Sequence, residues 1–232
     1  ITTIDLAGTS YTTETKEFFG YTLTKEPSNK EGTYLSNQTI IVNYVYTKND
    51  GTIDNTDVTK TSVDEDKVID SVNSVFGYTI NAYAEVKDYV GKATLKVVDT
   101  LPYEIDTEKS NIGNCTYNSE SKTITCTKEY TITEEDYTTN NDGEKVFVIE
   151  EAFTLDLVFV GVDSETVTNN AKVEVILDDS NITEEDNDPE DVKVAKGTVV
   201  ATYEDTEGNV LHEDITTIDL AGTSYTTETK EF

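Results

Sequence analysis

Apolar and polar residues alternate along most of the chain. Tyr78, Ile80, Ala82, Ala84 and Val86 share one parity over nine positions. Leu95, Val97, Asp99 and Leu101 share one face of a following segment that ends at Pro102, and Phe153, Leu155, Leu157 and Phe159 share another. Side chains of an extended strand point alternately to opposite faces, so these runs predict strands with one buried face. Val146–Ile149 and Ala171–Leu177 extend the set. Short strands separated by Gly, Asn and Asp predict a β-sandwich over residues 51–180, long enough to bury an adequate core. Towards the C-terminus, Asp205-Thr-Glu-Gly208-Asn209 is a hairpin turn between two apolar alternations. Near the N-terminus, Ile41–Tyr46 reads as a buried strand. Residues 178–194, DDSNITEEDNDPEDVKV, are acidic and contain a Pro, which predicts an extended linker over 181–195.

Composition agrees with an all-β chain and narrows its partners. Hydrophobic residues make up 35%, and the deficit is filled by Thr, Asp, Glu and Asn. Thr, Val, Ile and Tyr are strand formers, so the reading is a folded chain with an acidic surface. The net charge is -30, from 47 acidic residues against 17 basic ones, all of them Lys. A field of that sign repels phosphate and excludes nucleic acid and anionic membrane as partners. No apolar run is long enough to span a bilayer, which predicts no membrane insertion. Met is absent throughout, so the expectation is a slice or a processed form of a longer polypeptide.

Residues 1–18 and 215–232 are identical over all 18 letters, ITTIDLAGTSYTTETKEF. The offset is 214 residues, which predicts a tandem array with a unit of that length. Joining the end of one unit to the start of the next gives a continuous segment from Lys196 to Asp214 and on from Ile1 to Asp50. That joined segment resembles the mucin-binding-protein (MucBP) repeat of Gram-positive surface proteins. The matching pieces are Val199–Tyr203 with the Asp205–Asn209 turn, Gly8–Thr13, Gly20–Leu23, and Gly32–Tyr34 before Val42–Tyr46. The resemblance implies a small β-grasp-like fold. Residues 1–50 would then be the C-terminal part of one such module and 196–232 the N-terminal part of the next.

The middle domain resembles the isopeptide-forming, Ig-like sandwiches of Gram-positive pilins and collagen-binding adhesins. Three places carry the resemblance: Lys60 in Val58-Thr-Lys-Thr61, Asp99 in Val-Val-Asp-Thr-Leu-Pro, and Asn169 before Asn170 and Ala171. In such domains a Lys amine attacks an Asn carboxamide, ammonia leaves, and a carboxyl shuttles protons. The resemblance implies Lys60 as nucleophile, Asn169 as acceptor with Asn170 as the alternative, and Asp99 as the carboxyl, with Glu150 and Glu151 in reserve. The residue types suit the chemistry. Burial lowers a Lys pKa and raises that of a carboxyl, while fixed placement supplies effective concentration. Asn169 shares the face of Ala171, Val173 and Val175, and Asp99 that of Leu95 and Val97. An inward Asp in a sandwich core is costly unless partnered. The competing reading makes Asp99 a turn cap, Lys60 a solvated strand residue and Asn169 a turn residue.

Cys115 and Cys126 flank a segment whose centre near Glu120-Ser121 would bring them face to face in a hairpin. A disulfide fits an extracellular surface protein; two reduced thiols are the alternative. Two Cys and the distant His212 do not make a zinc set. Thioester and ester cross-links are unsupported, because the single Gln, Gln38, lies outside the middle domain. The acidic runs Asp64–Asp66, Asp178-Asp179 and Glu184–Asp188 lack the spacing of a calcium loop and read as solvated surface. No cofactor or turnover catalysis is expected.

The resulting expectation is a non-enzymatic structural repeat of a long surface stalk or fibre, in the cell wall or a surface fibre. Its partners would be neighbouring copies. Host mucin or glycan is the alternative ligand, through Tyr11, Tyr21 or Tyr34, and completion of the split module by another copy is a third reading.

Overall fold

The computed structural model describes residues 2–162, 166–178 and 182–231. The fold is all-β. One 3-10 turn at Glu134–Asp136 is the helical element among the described residues.

The N-terminal segment holds β1 (Ser10–Thr12), β2 (Tyr21–Lys25), β3 (Glu31–Thr33) and β4 (Val45–Lys48). They pair as β1 with β3 and β2 with β4. The middle region begins with β5 (Thr52–Ser62), β6 (Val68–Ile69), β7 (Phe76–Lys87) and β8 (Gly91–Thr100). It continues with β9 (Glu104–Ile105), β10 (Thr116–Asn118), β11 (Thr123–Ile132), β12 (Thr138–Thr139), β13 (Lys145–Leu157) and β14 (Phe159–Val160). β15 (Thr166–Leu177) and β16 (Ile182–Val194) close it, and β17 (Lys196–Glu204) and β18 (Val210–Leu220) form a terminal hairpin.

The middle region is a two-sheet sandwich. One sheet runs β10-β11-β8-β15-β16-β6 and the other β12-β13-β7-β5. Their inner faces carry the alternation seen in the sequence. Tyr78, Ile80, Ala82, Ala84 and Val86 from β7 are 0–1% exposed, as are Leu95 and Val97 from β8 and Val173 and Val175 from β15. The segments 146–149 and 153–157 belong to one long strand, β13, because nothing between them interrupts its pairing with β7.

Three expectations are corrected. Residues 182–194 are not a linker: β16 pairs antiparallel with β15 along its whole length and parallel with β6 at its end. From Asp186 on, its inward parity reads Asp186, Asp188, Glu190, Val192 and Val194, three acids followed by two apolar residues. Those acids have donors to meet. β5 is the edge of its sheet, and its outward amides would otherwise be unpaired. Val58 N donates to Asp186 Oδ2 at 2.9 Å, Lys60 N to Asp188 Oδ2 at 2.7 Å and Ser62 N to Glu190 Oε1 at 3.1 Å. This carboxylate ladder closes one side of the sandwich without a backbone ladder. Secondly, the sandwich does not end at residue 180, because β16 extends its larger sheet to Val194. Thirdly, Ile41–Tyr46 is not a buried strand. β4 begins only at Val45, and Ile41 is 70% exposed. Val45, of the same parity, is 46% exposed.

The duplicated 18 residues fold differently at the two ends. Ile215–Leu220 lies in β18 against β17, whereas the same letters at 2–6 are in no strand. Ser10–Thr12 is β1 against β3, whereas its copy at 224–226 is in no strand. Leu220 is 6% exposed and its counterpart Leu6 is 79% exposed. A strand needs a partner to satisfy its backbone, and each copy has a partner for only one of its halves.

Candidate functional site

Lys60 sits near the C-terminal end of β5, opposite Ile80 of β7. Asp99 is near the end of β8, between Ile124 of β11 and Ala171 of β15. Asn169 is on β15, opposite Glu190 of β16. Strand parity turns all three inward, to 2%, 1% and 0% exposure. Lys60 Nζ donates to Asp99 Oδ1 in a short contact across the two sheets. Asn169 Nδ2 donates to Asp99 Oδ2 at 3.3 Å. One carboxyl therefore touches both the amine and the amide nitrogen. Lys60 Nζ also lies 4.2 Å from the centre of the Tyr78 ring. The ring is set edge-on against Phe76 at 5.0 Å.

Burial governs the electrostatics. It pushes the Lys60 ammonium down to about 8, with Asp99 pulling the other way. It raises Asp99 above the usual carboxylate range, against the pull of Lys60 and of the Asn169 amide. Both shifts favour the uncharged pair, because desolvation penalises each charge more than the partner recovers. An amine with a pKa near 8 is neutral in roughly a tenth of molecules at pH 7. Tyr78 is also held up by burial, opposed by the neighbouring Asn169 side chain. Two polar atoms of this cluster are buried without a hydrogen-bond partner among the described residues: Tyr78 Oη and Asn169 Oδ1.

The other sequence candidates lie elsewhere. Asn170 is half-buried on the opposite face of β15, beside Thr100 and Pro189. Glu150 is exposed on β13, while Glu151 accepts from Tyr130 Oη at 2.9 Å and pairs with Lys128. Neither Glu is part of the Lys60 cluster, since β13 is separated from β5 by β7. Cys115 and Cys126 are joined by a disulfide, with Cα atoms 4.3 Å apart, beside the β10–β11 hairpin. Tyr11 and Tyr34 pack edge to face at 5.5 Å, whereas Tyr21 is 43% exposed. His212 lies against Tyr203, with Nδ1 2.6 Å from Glu213 O. No group of three or more His, Cys, Asp or Glu suited to a metal occurs among the described residues, which exclude Asp179.

Two features were not expected from the sequence. Tyr78 was legible only as a core position, because its hydroxyl gives no periodic signal. The edge-capping acids were hidden in an acidic run, although the spacing of Asp186, Asp188 and Glu190 by two is a strand signal that composition masked.

Residues 1–47 and 198–232 match the MucBP domain. The two matching segments lie on either side of the sandwich in the sequence. Solved structures similar to this chain include the full-length major pilin SpaD from Corynebacterium diphtheriae. That likeness has a TM-score of 0.39 and 17% identity over 86% of this chain and 50% of that one. Domains D2 and D3 of the same pilin give 0.37 and 18%, over 67% and 58%. BcpA, the major pilin subunit of Bacillus cereus, gives 0.33 and 15%, over 81% and 65%. The chain thus spans 50–65% of the length of these pilin chains. A comparison with curated proteins gave no match. No helix among the described residues is long and apolar enough to cross a membrane.

Proposed function

We propose that this chain is a structural repeat of an extracellular surface stalk or fibre, with a 214-residue period, stiffened by an isopeptide bond between Lys60 and Asn169. The observation that carries the reading is the contact of one buried carboxyl, Asp99, with both Lys60 Nζ and Asn169 Nδ2. A core amine, a core amide and a core acid in mutual contact are expensive to bury and chemically matched. A proton passes from Lys60 to Asp99, the neutral amine attacks Asn169 Cγ, and Asp99 returns a proton to the departing Nδ2. Asp99 takes the surplus proton from Nζ, and one ammonia leaves. Proximity replaces concentration, so no cofactor is needed. The reaction turns over once within its own domain, so the chain is not an enzyme.

The bond would brace β5 of one sheet to β15 of the other. Tension along the stalk would then meet a covalent tie instead of two sheets free to slide. Intact mass tests this directly. The wild type should lack the mass of one ammonia, the Lys60→Ala variant should not, and reductant should leave that deficit unchanged. The full calculated mass in the wild type would sink the proposal.

A second reading concerns the ends. The complementary folding of the duplicated segment supports completion of one copy's MucBP half by a neighbouring copy or the next repeat, through strand addition. Adhesion to mucin or glycan has less support, since Tyr11 and Tyr34 pack on each other.

A further inference from the structure

The proposed condensation leaves one charge unattended. When the Lys60 amine adds to Asn169 Cγ, the carbonyl electrons move onto Oδ1. Asp99 cannot serve that oxygen, because it is engaged with the nitrogens on either side of the new bond: Nζ through Oδ1 and the departing Nδ2 through Oδ2. Asn169 Oδ1 is fully buried and has no donor among the described residues. In a dry core, developing negative charge without a donor is the most costly feature of an acyl-transfer step.

The cluster contains one hydroxyl in the matching condition. Tyr78 is 0% exposed, its ring lies against the Lys60 ammonium, and its Oη hydrogen has no acceptor among the described residues. It reaches the site from β7, the neighbour of the Lys60 strand. The Asn169 side chain is near enough to oppose the effect of burial on the hydroxyl. A buried hydroxyl without a partner destabilises the resting fold, and Phe would fill the same core space without that cost. The polar atom therefore asks for a use in a later state, as an oxyanion donor whose hydrogen bond strengthens only as charge develops.

We propose that Tyr78 is a catalytic residue of the Lys60–Asn169 condensation, donating its hydroxyl hydrogen to Asn169 Oδ1 in the tetrahedral intermediate. The inference rests on the isopeptide reading above. The step balances. The Nζ–Cγ bond forms, the Cγ–Nδ2 bond breaks, the protons travel through Asp99, and Tyr78 keeps its own proton throughout. As the carbonyl re-forms, its hydrogen bond relaxes onto the isopeptide oxygen.

The test follows ammonia loss by intact mass over time after cell-free synthesis of the full chain, in three forms. These are wild type, Tyr78→Phe, and a chain with 3-fluorotyrosine placed at position 78. Fluorination makes the hydroxyl a stronger donor with little change of shape. The expected order of rates is fluorotyrosine above wild type, with Phe slower by about 10²–10³-fold, the effect of losing one oxyanion donor. Formation of the Cys115–Cys126 disulfide and an unchanged far-ultraviolet spectrum report folding in each form. Equal rates in folded Tyr78→Phe and wild type would overturn the proposal. Should Tyr78→Phe not fold, the fluorotyrosine chain decides alone: acceleration supports the donor role, and an unchanged or lower rate overturns it. A wild type that never loses ammonia would overturn the isopeptide reading itself, a result distinguishable from failure of the Tyr78 role.

Discussion

Lys60 and Asp99 meet between the two sheets of the sandwich, each at the inner face of its own strand and each almost fully buried. The pair ties β5 to β8 before any covalent bond is made, and it holds the amine beside the Asn169 carboxamide. Removing one partner strands the other as a buried charge. Asp99→Ala should abolish ammonia loss and cost about 3–5 kcal/mol relative to an uncross-linked Asn169→Ala reference. Urea denaturation with parallel mass measurement checks both. A cross-linked Asp99→Ala protein would remove Asp99 from the mechanism.

Lys60 should leave a pH signature when the reaction is blocked. In Asn169→Ala the amine cannot be consumed. Its folded-state pKa of about 8 lies below the ordinary 10.5, so between these values the unfolded chain binds the extra proton. Stability should therefore rise with pH across that window, by about 3 kcal/mol in total, and be flat in this respect below it. Subtracting the same titration in a Lys60→Met, Asn169→Ala double variant cancels the surface tyrosines and lysines. No difference between the two curves would mean that Lys60 is not desolvated.

The carboxylate ladder is an edge cap. Replacing Asp186 or Asp188 by Ala should cost about 1–2 kcal/mol each, the loss of a charge-assisted hydrogen bond to a β5 amide. Replacing both together with Glu190 should also free a sheet edge and promote self-association. Chemical denaturation and sedimentation velocity measure the two effects. Unchanged stability would show that water replaces the ladder without penalty.

The disulfide closes a short loop at the edge of the other sheet. Cys126→Ser should lower stability by about 2–3 kcal/mol while leaving the ammonia deficit intact, because the β8–β15 pairing holds Asp99 from its other side. Loss of the cross-link in this variant would instead show that β11 sets the position of Asp99 on β8.

A joined polypeptide running from 196 to 214 and then from 1 to 50 should fold as one module. Leu6 would become protected, as its copy Leu220 already is at 6% exposure. Amide exchange of residues 2–6 and 41–46 reports this. Persistent fast exchange in both segments would argue against completion of the module by strand pairing.

The strands were legible because alternation is a local property: Tyr78 to Val86, Leu95 to Leu101 and Ala171 to Leu177 point the way they do whatever surrounds them. The same parity separates Asn169 from Asn170, since one step along a strand reverses the face. The hairpin centre near Glu120-Ser121 likewise followed from local pairing, and so did the repeat, which is pure identity of letters. Which carboxyl meets Lys60 was not local. Asp99 and Glu151 are both acids on strands, and only the layering of β8 over β5, with β13 beyond β7, distinguishes them. The acids of 186–190 also read as a solvated run until β5 supplied unpaired amides to receive them. The clearest case is the duplicated segment. The chain determined that Ile-Thr-Thr-Ile-Asp-Leu can be a strand, and the structure decided where it is one, because an extended backbone is stable only where a neighbour takes up its hydrogen bonds.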